Sequence, residues 1–428
     1  MSNNGTFRSL RVHNYRTWAI GAVVSNTGTW MQRTAQDWLV LTQLSHRNAT
    51  AVGIVMALQY GPHALLLPVT GFVADHFDRR KLLLFTQFAQ GFLALGLGIL
   101  TLSGVVRLWH VDVFAFLLGC VSAFDAPARQ TFVSDLVGES ELSNAVALNS
   151  TSFNAARMVG PAVAGLLISS VGSGWVFLIN AASFMAVIGS LASLRIAELR
   201  VRPHTVRTLS GFADGFRYVW NRPDLKSLLL MFFLIGTFGL NFPIFISTMS
   251  VGVFRTGARG FGLLMSTMAL GSVIGALLAA RRTKPRIGFL VSGAALFGFG
   301  LTLAAVMPTY ALFGCTLILV GMSAQTFTAT TNAAVQMSTD PTKRGRVMAI
   351  LLAIAVGGTP IGAPIVGWVV DSFGPRWGLM VGASAGFAAA AVGVGYLAKY
   401  RNLRVHLIPI RISYSSDNSN PPHQDTPS

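Results

Sequence analysis

Two ionisable residues stand four positions apart in an otherwise apolar, membrane-length stretch near the start of the chain. In a helix, Arg33 and Asp37 would lie one turn apart on the same face, which Asn26, Thr29 and Gln36 extend. An ionisable group at membrane depth is costly and tends to face a cavity, where it carries function. The pattern predicts Asp37 as a proton carrier whose ionisation is tuned by Arg33. A permanent structural ion pair, or a pair that reaches the interface, is the alternative.

Two further ionisable residues lie within apolar stretches. Arg157 stands three residues before Gly160-Pro161 and has no acidic neighbour, so it needs a distant partner, a bound anion or water. We expect it to bind an acidic substrate or to pair with Asp37. His63 could relay protons near neutral pH, with a hydrogen-bonded structural histidine as the competing interpretation.

Other kinds of chemistry have no pattern in this sequence. No Ser/His or Asp/Asp constellation has useful helical spacing, no nucleotide-binding loop of the Walker type is present, and no His/Cys/Glu spacing suggests a metal. Cys120 and Cys315 both fall in apolar stretches, which excludes a disulfide framework. We therefore expect no enzyme, no metal and no cofactor, with a proton gradient as the energy source. A membrane-embedded enzyme or a non-transporting receptor is the alternative from a different class.

The composition indicates a chain embedded in lipid. Hydrophobic residues make up 52% of it and charged residues 11%, whereas soluble domains carry about 25% charged residues. Apolar segments of about 20 residues, the length that spans a bilayer, recur along the chain. We predict an all-α membrane protein with twelve transmembrane helices at 18–43, 50–74, 81–104, 110–128, 145–170, 174–194, 227–250, 259–281, 287–307, 309–331, 345–370 and 377–397.

The net charge of +17 is distributed by loop. Arg33 and Arg157 lie inside segments, and all but five of the other Lys and Arg residues fall in the two termini and in alternate loops. The five exceptions are Arg47, Arg107, Arg255, Arg259 and Arg376. This asymmetry predicts that both termini are cytoplasmic and that the basic loops contact anionic lipid. No aromatic-plus-basic pattern suggests nucleic acid as a partner, and we expect a monomer.

Polar and basic stretches divide the chain. We predict an N-terminal six-helix bundle over 1–194, a cytoplasmic linker with an amphipathic helix over 195–226, a C-terminal six-helix bundle over 227–400, and a largely disordered tail over 401–428.

The two predicted bundles carry signs of a duplication. Three glycines around the fifth segment match three around the eleventh at one constant offset: Gly160, Gly165 and Gly172 correspond to Gly362, Gly367 and Gly374. The match favours two pseudo-symmetric bundles with a substrate cavity between them.

A short charged loop joins the second and third segments. It reads Gly-Phe-Val-Ala-Asp-His-Phe-Asp-Arg-Arg-Lys from Gly71 and contains Asp75, Asp78, Arg79 and Arg80. The small Gly71 permits close helix approach, and the basic cluster holds the loop in the cytoplasm.

The same loop predicts a cytoplasmic latch. We expect Asp125, placed at the end of the fourth segment, to pair with Arg79, and Asp75 to cap the start of the eleventh segment. Contacts that only fix topology are the alternative.

The loop signature resembles that of the major facilitator superfamily. Two further stretches, Gly28 to Val40 and Phe124 to Pro161, are similar to the enterobactin-exporter-type and multidrug-efflux branch of that superfamily. Two positions depart from patterns common in proton-coupled members, since Ala115 and Ala156 stand where those members carry arginine and glycine.

The resemblance implies a secondary active transporter in the inner membrane of a bacterium. Its expected cargo is small and amphipathic, a drug or a siderophore-like metabolite, exported by proton antiport and alternating access. A narrow siderophore or metabolite exporter is the alternative. The resemblance also implies that Gly160-Pro161 acts as a hinge in the fifth helix.

Overall fold

The computed structural model describes residues 7–66, 69–70, 73, 77–199, 211–280 and 287–401, with the side chains of 211–213 and 401 excepted. Helices dominate this part of the chain, which contains no β-strand. The first half holds α1 (His13–Leu39, extended by the π-helical turn Val40–Leu44), α2 (Ala49–Leu65), α3 (Arg79–Leu102), α4 (Leu108–Leu136), α5 (Glu139–Val171) and α6 (Ser173–Ala192). We call α1–α6 the N-terminal bundle.

The second half begins with a linker helix and continues with a second bundle. The linker helix is α7 (Gly211–Trp220). The C-terminal bundle holds α8 (Pro223–Leu234), α9 (Phe242–Thr248), α10 (Ala258–Ala280), α11 (Ile287–Val306), α12 (Tyr310–Ser338), α13 (Arg344–Phe373) and α14 (Pro375–Arg401). The predicted tail beyond 401 and the basic loop 281–286 lie outside the described residues.

The described helices confirm the predicted all-α membrane fold. They form ten spans that are long and apolar enough to cross a bilayer, one of which, Pro223–Val253, contains both α8 and α9. Two more helices, α1 and α2, pack side by side with these spans. They are not among the ten because α2 has only 17 described residues and because the buried polar face of α1 lowers its hydropathy. Counting α1 and α2 as spans gives the predicted twelve.

Both bundles pack their helices in the same order. In the N-terminal bundle, α3 packs against α6 and α4, α2 against α4, and α1 against α6 and α5. In the C-terminal bundle, α11 packs against α14 and α12, α10 against α12, and α8 against α14 and α13. The packing confirms two pseudo-symmetric halves. The bundles meet mainly through two helix pairs, α2 with α13 and α5 with α10.

The matched glycines occupy equivalent places in the two halves. Gly172 and Gly374 follow the last residues of α5 and α13 with φ of 92° and 101°. Residues other than glycine rarely adopt such a positive φ. A Cβ on Gly165 would lie 2.6 Å from the carbonyl oxygen of Ala258, and a Cβ on Gly367 would lie 2.6 Å from that of Ala49. Each glycine lets its helix touch the first residue of a helix in the other bundle.

Chain direction defines two faces of the protein. We call the face where α1 begins and α14 ends the terminal face, and the other the opposite face. Gly165, Gly367 and the starts of α2 and α10 all lie toward the opposite face. The two bundles are therefore in close contact at the opposite face.

The bounds of several predicted segments differ from those of the observed helices, including the first, which begins at His13, and the tenth, which extends to Ser338. The α4 and α5 helices extend at the terminal face to Leu136 and from Glu139, well beyond their apolar stretches. Their polar ends are stabilised by tertiary contacts, which hydropathy does not record. The seventh segment is interrupted between α8 and α9 by a π-helical turn at Ile235–Gly239, where the Asn241 side-chain amide donates to the Thr237 carbonyl over 2.8 Å.

The linker helix α7 lies on the terminal face. Its outer side exposes Phe216 and Trp220, whose rings stack with centroids 5.8 Å apart, while Val219 is buried. Asp214 forms an ion pair of 3.3 Å with Arg346 near the start of α13. The helix therefore has one apolar exposed side suited to the bilayer interface and another side in contact with the C-terminal bundle.

Candidate functional site

A cavity of about 150 Å³ lies between the two bundles. Five of its lining residues come from α1, α2 and α5, and the rest come from the C-terminal bundle. The lining residues are Trp30, Met56, Tyr60, Arg157, Pro161, Leu240, Phe242, Pro243, Met265, Met268, Ala269 and Thr359. Aromatic rings, thioethers and a single charged group therefore face this space. Such a lining accepts an apolar body while fixing one polar group.

Arg157 reaches this cavity from the middle of α5. Its Nε atom is buried and makes no hydrogen bond, and no acidic side chain pairs with its guanidinium in the described part of the chain. The contact with Asp37 considered from the sequence is not formed in this conformation.

Arg33 lies behind the aromatic wall of the cavity. Its guanidinium carbon is 5.1 Å from the ring centre of Trp30 and 5.6 Å from that of Tyr60. Its Nη1 atom donates to the Tyr60 hydroxyl over 3.2 Å. A partly desolvated cation–π contact stabilises by about 1–2 kcal/mol, so Arg33 holds both rings in place at the cavity surface.

Asp37 is buried on α1, one turn beyond Arg33, with 7% of its surface exposed. Within the described ranges, its carboxylate makes neither a hydrogen bond nor an ion pair, since Arg33 points at the rings of Trp30 and Tyr60. The permanent ion pair with Arg33 considered from the sequence is therefore not formed. The residue that follows Asp37 contacts the other bundle, because Trp38 stacks on Phe261 of α10 with ring centroids 5.8 Å apart.

A set of polar side chains fills the interior of the N-terminal bundle beside these groups. We call it the inner polar cluster, and it consists of Gln32, Gln36, Gln59, His63, Gln90, Ser122 and Asn180. Asn180 donates to Gln32 over 2.5 Å, and Gln36 contacts Gln59 at 3.4 Å. Five of its members line a cavity of about 20 Å³, namely Gln32, Gln59, Gln90, Ser122 and Asn180, and this is room for about one water molecule.

His63 belongs to this cluster. Its Nε2 atom lies 3.2 Å from the Ser122 hydroxyl. The imidazole faces the inside of the N-terminal bundle and is not among the residues that line the cavity between the bundles.

The predicted hinge residues lie where α5 meets two other helices. A Cβ on Gly160 would lie 2.7 Å from the Cβ of Trp30, and the Pro161 carbonyl contacts Gly262 of α10. The α5 helix continues unbroken through both positions. These residues therefore serve close packing in this conformation, and the hinge function stays a prediction.

The predicted pairing of Arg79 with Asp125 is wrong. Arg79 binds both carboxylate oxygens of Asp135, at 2.8 and 2.9 Å. Asp125 does not end the fourth helix, because α4 continues for about three more turns to Leu136. Sequence analysis missed Asp135 because the segment was ended at residue 128.

Asp125 instead forms a buried polar centre between α3 and α4. Its carboxylate accepts hydrogen bonds from Thr86 at 2.8 Å and Gln87 at 2.6 Å, and it forms a 3.1 Å ion pair with Arg129. Arg129 also donates to Asn26 of α1 over 3.2 Å. These contacts tie α1, α3 and α4 together near the terminal face.

The other loop residues have local functions or cannot be placed. Asp78 caps α3 by accepting from the backbone amide of Lys81 over 2.9 Å. Arg80 donates to the Leu191 carbonyl at the end of α6 over 2.8 Å. Gly71 and Asp75 lie outside the described residues, so the predicted cap on the eleventh segment stays a prediction.

Asp371, which sequence analysis did not single out, joins the bundles at the opposite face. Its carboxylate accepts from the backbone amides of Ala49 and Thr50 at 2.7 and 2.8 Å, and from the Thr50 hydroxyl at 2.5 Å. The signal in the sequence was an acid near the end of α13, four residues after the matched Gly367. The equivalent position on α5 is Ser169, whose hydroxyl bonds to its own helix.

Comparisons with known proteins agree with this architecture. The family model described as transmembrane secretion effector matches residues 4–409. The Staphyloferrin A transporter of Staphylococcus aureus is 25% identical over 352 residues, covering 81% of this chain and 87% of that protein. The multidrug efflux pump Tap of Mycolicibacterium fortuitum is 25% identical over 367 residues, covering 82% and 88%. The enterobactin exporter EntS of Shigella flexneri is 25% identical over 369 residues, covering 85% and 87%.

Solved structures share the fold. A POT family transporter in complex with 5-aminolevulinic acid aligns with a TM-score of 0.74 at 11% identity, over 90% of this chain and 96% of that one. A bacterial homologue of the iron transporter ferroportin in an inward-facing state aligns with a TM-score of 0.69 at 15% identity, over 90% and 98%. The chain belongs to the transmembrane secretion effector family of the major facilitator superfamily, and it is a multi-pass membrane transporter.

Proposed function

We propose that this chain exports small amphipathic molecules from a bacterial cell by alternating access, driven by proton antiport. One observation carries the proposal: a mostly apolar cavity lies between two pseudo-symmetric bundles that are held together at the opposite face. The relatives that the chain resembles include efflux pumps and a siderophore exporter, which supports export as the direction of transport.

The charge distribution supports an orientation for the proposed transporter. Basic residues concentrate at the terminal face, so we assign that face to the cytoplasm. Both termini would then be cytoplasmic, and the cavity would be sealed from the outside in this conformation. Cargo would enter from the cytoplasm, and rocking of the bundles would break the contacts at the opposite face to release it. The basic loops would contact anionic lipid, and the packing needs no second copy, so we propose a monomer.

The proposed coupling group is Asp37. A buried carboxylate without an ion-pair partner is costly when ionised, so its protonation depends on whether water reaches it. Asp37 is flanked on α1 by Arg33 and by Trp38, and these contact the cavity wall and α10 respectively. Movement between the bundles would therefore change the surroundings of Asp37.

Either a broad or a narrow range of substrates is compatible with the cavity. The thioethers of Met56, Met265 and Met268 adapt to cargo of different shapes, which favours a broad range of substrates. The similarity to siderophore transporters supports a narrow exporter as the second candidate. A transport panel of dyes, antibiotics and siderophores separates the two, because a narrow exporter would move one chemical class.

The proposal is tested by transport in proteoliposomes with an imposed pH gradient. We expect gradient-driven export by the purified protein and none by Asp37→Asn, which keeps the size of the side chain but cannot ionise. Glu198→Gln is the control, because Glu198 forms an exposed pair with Arg195 at the terminal face. Export by Asp37→Asn at the wild-type rate would remove Asp37 from coupling. Absence of any gradient-driven flux across the panel would contradict proton antiport.

A further inference from the structure

We propose that the cargo is an amphipathic anion: an apolar, preferably aromatic, body with a carboxylate or a comparable acidic group that binds Arg157. This inference rests on the proposed function, because it assigns a substrate class to the same cavity. It goes further in one respect. It predicts that the protein discriminates against the cationic drugs and dyes that a purely apolar cavity would also accept.

The first argument is the isolation of the Arg157 charge. Arg157 is the one charged residue among the twelve described residues that line the cavity between the bundles. Its buried Nε atom has no hydrogen-bond partner, and none of the described acids pairs with it. The residue as a whole is partly exposed, and a partly buried cation without a counter-charge is disfavoured. An anion placed in the cavity would compensate this charge directly.

The second argument is the position of Arg33. Its guanidinium lies against Trp30 and Tyr60, the two aromatic rings that line the N-terminal side of the cavity. A ring that already attracts one cation on one face offers less negative potential to a second cation on the other. These rings therefore stack against an apolar body but are poor sites for a cationic drug.

The third argument is the asymmetry of the two halves. The residue that corresponds to Arg157 at the repeat offset is Thr359 of α13, which lines the same cavity. The duplication thus places one charged and one neutral side chain at equivalent positions. Met265, Met268 and Phe242 occupy the C-terminal side. The acidic group of the cargo would lie at α5, and its apolar body would lie against the C-terminal bundle.

The test is equilibrium binding of three probes that share one aromatic scaffold: naphthoate, naphthamide and naphthylmethylammonium. The full chain is purified in an uncharged detergent, which avoids anionic lipid as a competitor. We expect naphthoate to bind roughly 10- to 100-fold more tightly than naphthamide, since a buried hydrogen bond to a charged group contributes this much. The ammonium probe should bind more weakly than the amide.

Variants identify the group that recognises the charge. Arg157→Gln should abolish the preference for naphthoate, and Arg157→Lys should retain part of it. Arg195→Gln also loses one positive charge, but at an exposed site on the terminal face, and should keep the full preference. If Arg157→Gln does not fold, Arg157→Lys still tests the inference, because it should reduce the preference for naphthoate.

The inference would be overturned by no binding of naphthoate, by equal binding of naphthoate and naphthamide, or by a preference that survives Arg157→Gln. Displacement of naphthoate by chloride at matched osmolarity would assign Arg157 to an inorganic anion and would also overturn it. Because binding is measured without a gradient, its result is independent of the transport assay. A protein that exports only cations would sustain the proposed function and refute the anionic cargo.

Discussion

Asp371 caps the helix that Ala49 begins, although the two residues belong to different bundles. The distance between the Asp371 carboxylate and the Ala49 amide is 2.7 Å, and the adjacent Thr50 supplies two more hydrogen bonds. The first amides of a helix have no partner within the helix, and negative charge near them is favourable. The cap therefore stabilises the state in which the bundles meet at the opposite face, and separation of the bundles would remove it.

We predict that Asp371→Ala shifts the protein toward the state that is open at the opposite face. Loss of an N-cap costs about 0.5–2 kcal/mol, which would change the ratio of the two states roughly 2- to 30-fold. The measurement is labelling of single cysteines placed on each face, in a background without Cys120 and Cys315. Labelling should rise at the opposite face and fall at the terminal face.

Asn48→Ala is the matched control for this prediction. Asn48 caps the same helix by accepting from the Ala51 amide over 2.9 Å, but it belongs to the same bundle as that helix. Its loss should lower the stability of α2 without favouring either state. Equal labelling patterns for Asp371→Ala and Asn48→Ala would show that the cap supports the helix alone.

A second prediction concerns the close helix contact at Gly367. A side chain there would collide with the Ala49 carbonyl and the Thr50 Cα, at 2.6 and 2.7 Å from an added Cβ. Gly367→Val should therefore disfavour contact of the bundles at the opposite face and slow transport at least tenfold, with intact insertion. Gly189→Ala on α6 is the control, because a Cβ there meets no atom within 4 Å. Similar turnover in the two variants would contradict the contact as a moving interface.

The sequence predicted the elements of this fold more completely than the contacts of its site. Hydropathy and alternate basic loops are local signals of burial in lipid, and ten of the twelve segments they indicate correspond to helices long and apolar enough to cross a bilayer. The glycine offset identified equivalent positions because a close helix approach permits no side chain. Hydropathy could not reveal the helical ends of α4 and α5, since their polar residues are stabilised by partners distant in the sequence.

The pairing of charged residues was the main failure of the sequence analysis. Arg79 binds Asp135 and not Asp125 because α4 extends to Leu136 and so brings Asp135 next to the start of α3. Arg33 turns to two aromatic rings although Asp37 stands one turn away. Sequence spacing gives the possible partners of a charge, whereas the packing of neighbouring helices decides which one it binds.

The third prediction tests the corrected pairing by double-mutant cycles. Arg79 and Asp135 have side chains that are 13% and 7% exposed, so removing either one breaks a largely buried, charge-assisted hydrogen-bonded pair and should lower stability by about 1.5–3 kcal/mol. The combined variant Arg79→Ala with Asp135→Ala should lose less than the sum of the two. Thermal unfolding in detergent measures each variant.

The matched cycle pairs Arg79→Ala with Asp125→Asn. Asp125 bonds to Thr86, Gln87 and Arg129, so its effect should add to that of Arg79 within about 0.5 kcal/mol. The pairing predicted from the sequence would be restored by the opposite result. In that case the effects of Arg79→Ala and Asp135→Ala would add, whereas those of Arg79→Ala and Asp125→Asn would not.

The last prediction concerns Arg33 and the aromatic wall of the cavity. Arg33→Met keeps an unbranched apolar stem but loses the hydrogen bond to Tyr60 and the cation–π contacts with both rings. We expect weaker binding of an aromatic probe, by roughly 5- to 30-fold, because about 1–2 kcal/mol of ring positioning is lost. Tyr60→Phe removes the hydrogen bond but keeps the ring, so its effect should be smaller and should not add fully to that of Arg33→Met. Additive effects would mean that Arg33 influences the cavity by charge alone and does not hold Tyr60 in position.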